Sequence, residues 1–215
     1  MAISELFFRL TAAGNGSMMV YPRLDHDLRG RHFLPADLAR VMPFKPENLP
    51  TYMSLFSIPA QSRMARQMTD TLHVCSPRPG PRDLLTCHAS IESMLDFSTA
   101  HLPNVSSVLT PSFTPPSRYE ARVSSLPSTL SRNAISCHDT MFPYLVYGCH
   151  LMHNASVLTV PLVRTLDNTS FQGLAVCHAD TTSWNPDHPV FSALRAQPGD
   201  GTLCHWIPQN NFVWI

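Results

Sequence analysis

The chain has almost no lysine: Lys45 is the single one in 215 residues, so arginine carries the positive charge. Formal net charge is zero, and only 14% of residues are charged. No basic block is present, so the electrostatic footprint of a nucleic-acid binder is missing. No apolar run approaches the length of a membrane span, and no membrane partner is expected. Residues 1–30 lack the basic start, apolar middle and small-residue cleavage site of a signal peptide. No long internal repeat occurs. Glycine is scarce at 8, whereas 20 prolines imply many short elements joined by many loops.

What the chain does have is an ordinary apolar content of 44%, six cysteines and eleven histidines. The length suits one domain with a core of its own, so any cross-links add to that core and do not replace it. The cysteines are an even set, and Asn-x-Ser/Thr sequons stand at Asn15, Asn104, Asn154 and Asn168. Both features favour the secretory route.

Read for periodicity, residues 1–30 look irregular, with a flexible "TAAGNGS". Residues 32–44 predict a short helix from Pro35 to Pro43, with Leu38, Val41 and Met42 on one side; Pro46 argues against a restart. A longer helix is predicted over 57–75, with Met64, Met68 and Leu72 at helical spacing, followed by a proline-broken loop at 77–83. A third covers 88–103, capped by Ser90, with Ile91, Met94 and Leu95 as its apolar stripe. The Ser/Thr/Pro-rich stretch 104–132 reads as extended strands with long loops or as a connector. From Ala134 strands dominate: "AISCH", "YLVYGCH", "SVLTVPLV", "FQGLAVCH", "GTLCHWI" and "FVWI". A short helix is predicted over 188–199. Helices first and strands later give an α+β class: helices of the N-terminal half packed on a mainly antiparallel β core in the C-terminal half.

Cysteine directly precedes histidine five times, at Cys87, Cys137, Cys149, Cys177 and Cys204. Three readings compete. The histidines can be incidental to disulfides. The pairs can supply a mixed thiolate–imidazole zinc site, although zinc ligands of one loop are usually spaced by a short turn. Or strand geometry is at work: neighbouring side chains of a strand point to opposite faces, so the sulfurs can face one layer and the imidazoles another. Imidazole ligation suits copper, zinc, iron or nickel, and affinity order favours Cu(II).

The spacing is Cys137-His138, ten residues, Cys149-His150, 26 residues, Cys177-His178, 25 residues, Cys204-His205, eight residues, Trp214. It is similar to the signature of the plant BURP domain. "FLPADLARVMPF", "SIESMLDFSTAHL", "MFPYLVYGCH", "AVCHADTTSWNPDH" and "CHWIPQNNFVWI" resemble the family as well. The likeness divides the chain into an irregular segment, 1–30, and a single BURP-like domain, 31–215.

Some members of that family are copper-dependent peptide cyclases. The resemblance therefore implies an oxidative macrocyclase that cycles between Cu2+ and Cu+ with molecular oxygen as oxidant. It would join a Tyr or Trp side chain of a core peptide substrate to another residue. His138, His150, His178 and His205 are the implied copper ligands. Tyr144 has the strand parity of His150, which offers two readings: a side chain lining the catalytic groove or one packed in the core. The matching cysteines are implied to be disulfide-bonded. Cys75 and Cys87 pair because the family carries a pair there. Cys137–Cys149 and Cys177–Cys204 are our choice among the connectivities six cysteines allow.

His88 is an uncommitted extra ligand. Asp139 and Asp180 are candidates to hold ligand rings, and His188 reads as a cap or surface group. No core peptide is evident: Gln197-Pro198 leads to Gly199 and Cys204. Either the core lies outside this sequence, or the domain acts on a separate peptide in trans, or it is not a cyclase. The expected state is a monomer and the place the resemblance implies is the vacuole or the cell wall, with a non-catalytic, secreted cell-wall or stress-related structural protein as the alternative function.

Overall fold

The computed structural model describes residues 5–22, 30–76, 85–111, 119–152 and 155–215. The loop predicted at 77–83 and the sequon at Asn154 lie outside the described residues. Two compact units emerge, one within Met1–Asp25, Ser107–Ala134 and Met152–Ile215, the other within His26–Ser106 and Ile135–Leu151. The class is α+β, rich in antiparallel strands and cross-linked by three disulfides.

The first, a sheet unit, contains β1 (Phe7–Arg9), β2 (Met18–Tyr21), β4 (Val108–Leu109), β5 (Tyr119–Val123), β6 (Ser128–Ser131) and β9 (Ala155–Arg164). It continues with β10 (Ser170–His178), helix α5 (Pro189–Leu194), β11 (Leu203–Trp206) and β12 (Phe212–Trp214). Seven strands form one sheet in the order β1-β11-β10-β9-β5-β2, with β6 also paired to β9. β4 and β12 pair antiparallel.

The irregular segment expected at 1–30 is therefore corrected. β1 aligns Phe8 with Cys204, and β2 aligns Met19 with Ala121. These strands are three and four residues long. Their stability comes from partners far along the chain, which no local pattern announces.

One face of the sheet buries Phe8, Tyr21, Val123, Leu162, Ala175, Cys177 and Trp206 in a continuous core. Strand β10 alternates near its start and is buried on both faces near its end, because Leu174 and Val176 enter a second core with Val157 and Ile207. A third cluster, Val190, Phe191 and Leu203, seats α5. Gly173 lies under Trp206: a Cβ there would stand 2.6 Å from the indole Cζ3.

The second, a helical unit, contains α1 (Ala36–Val41), α2 (Leu49–Leu55), α3 (Arg63–Cys75), β3 (Leu85–His88), α4 (Ile91–His101), β7 (Ala134–Thr140) and β8 (Val146–Met152). Its strands run in the order β3-β8-β7. Met42, Tyr52, Met68, Leu72, Phe142, Tyr144 and Val146 form the core.

Ser62 and Ser90 cap α3 and α4 by accepting from Ala65 N–H and Ser93 N–H. The helix does restart after Pro46, through a 3-10 turn and α2. Pro50 sits in its first turn, where the missing N–H costs nothing. The stripe expected on α4 is displaced: Ile91 and Leu95 are exposed, while Met94, Phe97 and Ser98 face inward. On α1, Leu38 and Val41 are exposed and Met42 is buried.

Candidate functional site

Both units carry a Cys-His pair on each of two neighbouring strands. In the sheet unit Cys177 stands directly opposite Cys204 across β10 and β11, and the two are bonded. Odd positions of β10 and even positions of β11 share the core face, so both sulfurs are buried there beside Trp206. His178 and His205 are pushed to the other face by the period of two. His178 lies opposite Leu203 and His205 opposite Val176, which makes the two imidazoles diagonal neighbours on that face. Their rings stack with centroids 5.7 Å apart and planes 19° from parallel.

Aromatic groups enclose this pair. Trp184 sits 4.8 Å from His178 and 4.9 Å from His188, and Phe7 meets His205 at 6.3 Å. Nδ1 of His205 is 3.2 Å from the Trp206 carbonyl. A carbonyl only accepts, so this nitrogen carries the proton, and the neutral ring keeps its lone pair on Nε2. His188 has the opposite tautomer. Its Nδ1 accepts from Val190 N–H as the N-cap of α5, so it is a cap with its proton on Nε2.

In the helical unit Cys137 is bonded to Cys149, and Cys75 to Cys87. These, with Cys177–Cys204, are the pairs set out above, and no described cysteine is left unpaired. Cys137 and Cys149 are fully buried, whereas His138 and His150 are only partly so. Here the rings meet more closely: Nε2 of His150 is 3.4 Å from Nε2 of His138, which also lies 3.1 Å from Ser136 Oγ. Desolvation lowers the His150 pKa to about 4, so its ring is neutral at ordinary pH. Two imidazole nitrogens on one tetrahedral ion stand about 3.3 Å apart, given metal–nitrogen bonds near 2.0–2.1 Å. The His138–His150 separation fits that value. Among the described residues no group of three or more His, Cys, Asp or Glu that could hold a metal ion is present.

Other candidates have structural roles. Tyr144, a candidate to line a catalytic groove, packs between Phe142 and Phe56 with 4% of its surface exposed. Its hydroxyl has no hydrogen-bond partner among the described residues, and burial pushes its pKa well up. This is a core side chain, because the segment before β8 turns into the helix layer and strand parity does not extend to it. His88 hydrogen-bonds Thr86 Oγ1 through Nε2 and Ser93 Oγ through Nδ1. With both nitrogens engaged it is a buried strut, its pKa lowered to about 4 by desolvation.

Asp139 receives Arg31 at 3.4 Å, both side chains buried, and Arg31 also donates to the Thr140 carbonyl. Sequence reasoning missed Arg31, since nothing local ties it to β7. Asp180 accepts from Thr182 N–H and Oγ1 in a tight turn.

Comparison with known proteins adds the context. The chain is 32% identical over 97% of its length to BURP domain-containing protein 12 of Oryza sativa subsp. japonica, covering 33% of that protein. It is 30% identical over 98% of its length to BURP domain-containing protein 16 of the same organism, covering 62%. It is also 30% identical over 97% of its length to polygalacturonase-1 non-catalytic subunit beta of Solanum lycopersicum, covering 34%. The chain thus spans between about a third and three fifths of these relatives.

Relatives that carry "non-catalytic subunit" in their names overturn the expectation of an oxidative peptide cyclase. The physical reason that expectation failed is that the Cys-His signature encodes a scaffold, and a scaffold does not encode chemistry. The BURP domain model matches residues 6–215, and the chain belongs to the BURP domain family.

Proposed function

We propose that this chain is the non-catalytic BURP domain of a secreted cell-wall protein, one that binds a wall-polysaccharide hydrolase and leaves the chemistry to it. The observation that carries this reading is the 30% identity, over nearly the whole chain, to a non-catalytic subunit of a polygalacturonase. The physical features agree with it. Disulfides persist where thiols are oxidised, outside the cytosol, and all six described cysteines are bonded. Among the described residues no helix is long and apolar enough to cross a membrane.

The test is co-elution of the purified chain with a purified polygalacturonase on size exclusion. A shared peak, with no pectin hydrolysis by the chain alone, is the expected result. Separate elution across a range of salt would overturn the reading.

The imidazole pairs favour a second, compatible reading, in which they hold a copper or zinc ion structurally. Support comes from the 3.4 Å separation of the His138 and His150 nitrogens and from the His205 tautomer, which puts a lone pair on Nε2. Copper heads the affinity order for such ligands, and zinc is the competitor. Copper retained after dialysis is expected to fall in His138→Ala/His150→Ala and in His178→Ala/His205→Ala. Unchanged retention in both would remove the imidazoles from any metal site.

A further inference from the structure

We propose that Asn15, Asn104 and Asn168 carry N-linked glycans, and that the glycans at Asn15 and Asn168 shield exposed apolar features of the sheet unit. This rests on the secretory reading above. Each of the three asparagines begins an Asn-x-Ser/Thr sequon, the acceptor for that modification. The fold keeps all three outside: Asn15 before β2, Asn104 after α4, and Asn168 in the β9–β10 turn are exposed.

Their side-chain amides are also uncommitted, making no hydrogen bond among the described residues. Three of the asparagines outside sequons are used differently. Asn48 donates its amide to the Pro43 carbonyl, Asn185 accepts from Asp187 N–H, and Asn211 is buried. An amide that becomes a glycosidic nitrogen must be both exposed and unengaged, and these three meet both conditions.

Two of the sites flank surface that a secreted protein has reason to cover. Asn168 follows Leu166 by two positions. Leu166 is 85% exposed, the most exposed of the large hydrophobic residues among the described ones. The backbone of Asn168 is left-handed, φ 58°, and its N–H donates to the Arg164 carbonyl, which fixes the tip of the hairpin. Asn15 precedes Met18 by three positions. Met18 is 55% exposed and opens β2, the end strand of the seven-stranded sheet. An end strand with an apolar side chain invites pairing with another copy, and a bulky hydrophilic group beside it prevents this.

The experiment directs the full chain into the secretory pathway behind a cleavable leader. Loss of six hydrogens by mass confirms that the three disulfides have formed. Digestion with an endoglycosidase should then lower the mass in discrete steps. Asn104→Gln, Ser17→Ala and Ser170→Ala should each remove one step. Ser170→Ala is used at the hairpin because it spares the left-handed Asn168. Secreted, fully oxidised chain whose mass is unchanged by digestion would overturn the proposal.

Shielding has its own readout. Ser170→Ala should scatter more light on concentration than its parent, and Leu166→Ser/Ser170→Ala should return to the parental level. Equal scattering by all three would remove the shielding role. Hydrolase binding is measured on the same samples, so loss of glycans and loss of partner binding register separately.

Discussion

The pair of neighbouring strands with Cys-His on each is built twice, and its two settings differ. In the sheet unit the imidazoles of His178 and His205 stack beneath Trp184 and Phe7. In the helical unit His138 and His150 touch nitrogen to nitrogen, with Ser136 hydroxyl in reach. Both keep the sulfurs buried. The difference teaches that strand alternation fixes where the rings go, while the covering layer decides what they meet. Aromatic cover suits packing, and polar cover suits ligation or proton sharing.

The comparison extends to how each unit is held, and it can be broken unit by unit. The largest effect is expected at Asp139 in the helical unit. Asp139→Ala leaves the Arg31 guanidinium buried without its carboxylate, at a cost of about 3–5 kcal/mol. Denaturant unfolding followed by circular dichroism measures it, and a loss below about 1 kcal/mol would show that water replaces the partner.

Next are the staples. Cys177 and Cys204 are separated by 27 residues, Cys137 and Cys149 by 12. Chain-entropy scaling gives about 3.5 and about 3 kcal/mol respectively. Paired Cys→Ala variants should therefore fall in that order, read as shifts in the denaturant midpoint. A reversed order would place the stabilisation in native packing and not in the unfolded chain.

His88 gives the helical unit a pH response. The fold keeps its ring neutral down to about pH 4, whereas in the unfolded chain it protonates near 6.5. The unfolded state therefore binds the extra proton between these values. The stabilisation is complete above pH 6.5, declines as pH falls, and is gone near pH 4, with a span of about 3 kcal/mol. The His88 share is the difference between parent and His88→Gln across that window, and parallel curves would contradict it.

The smallest effect belongs to the sheet unit. Gly173→Ala drives a methyl into Trp206 and should cost about 1–3 kcal/mol. Near-ultraviolet dichroism of the displaced indole gives a second signal.

Legibility from sequence followed the range of the physics. The Ser90 cap was readable because capping is settled within one turn. The split of sulfurs and imidazoles was readable because a period of two leaves no latitude once a strand is granted. The β-strands before Tyr21 were not, since β1 exists only against β11 and β2 only against β5. Helix α2 is hidden because a proline so soon after Pro43 signals a stop, whereas Pro46 opens a turn. Ile91 and Leu95 share helical spacing with Met94, yet the buried side of α4 is set by β3 and by the ring of His88 against Phe97. For Tyr144 the parity rule offers a groove role beside core packing, and the rule stops at the end of β8, so core packing holds.

The direct opposition of Cys177 and Cys204 has a consequence for how the molecule matures. A slip of one residue between those strands would turn one thiol toward the imidazole side and leave nothing to oxidise it against. Bond closure is thus conditional on correct alignment. An oxidising compartment would seal only well-threaded copies, and a count of remaining thiols would serve as an assay of misassembly.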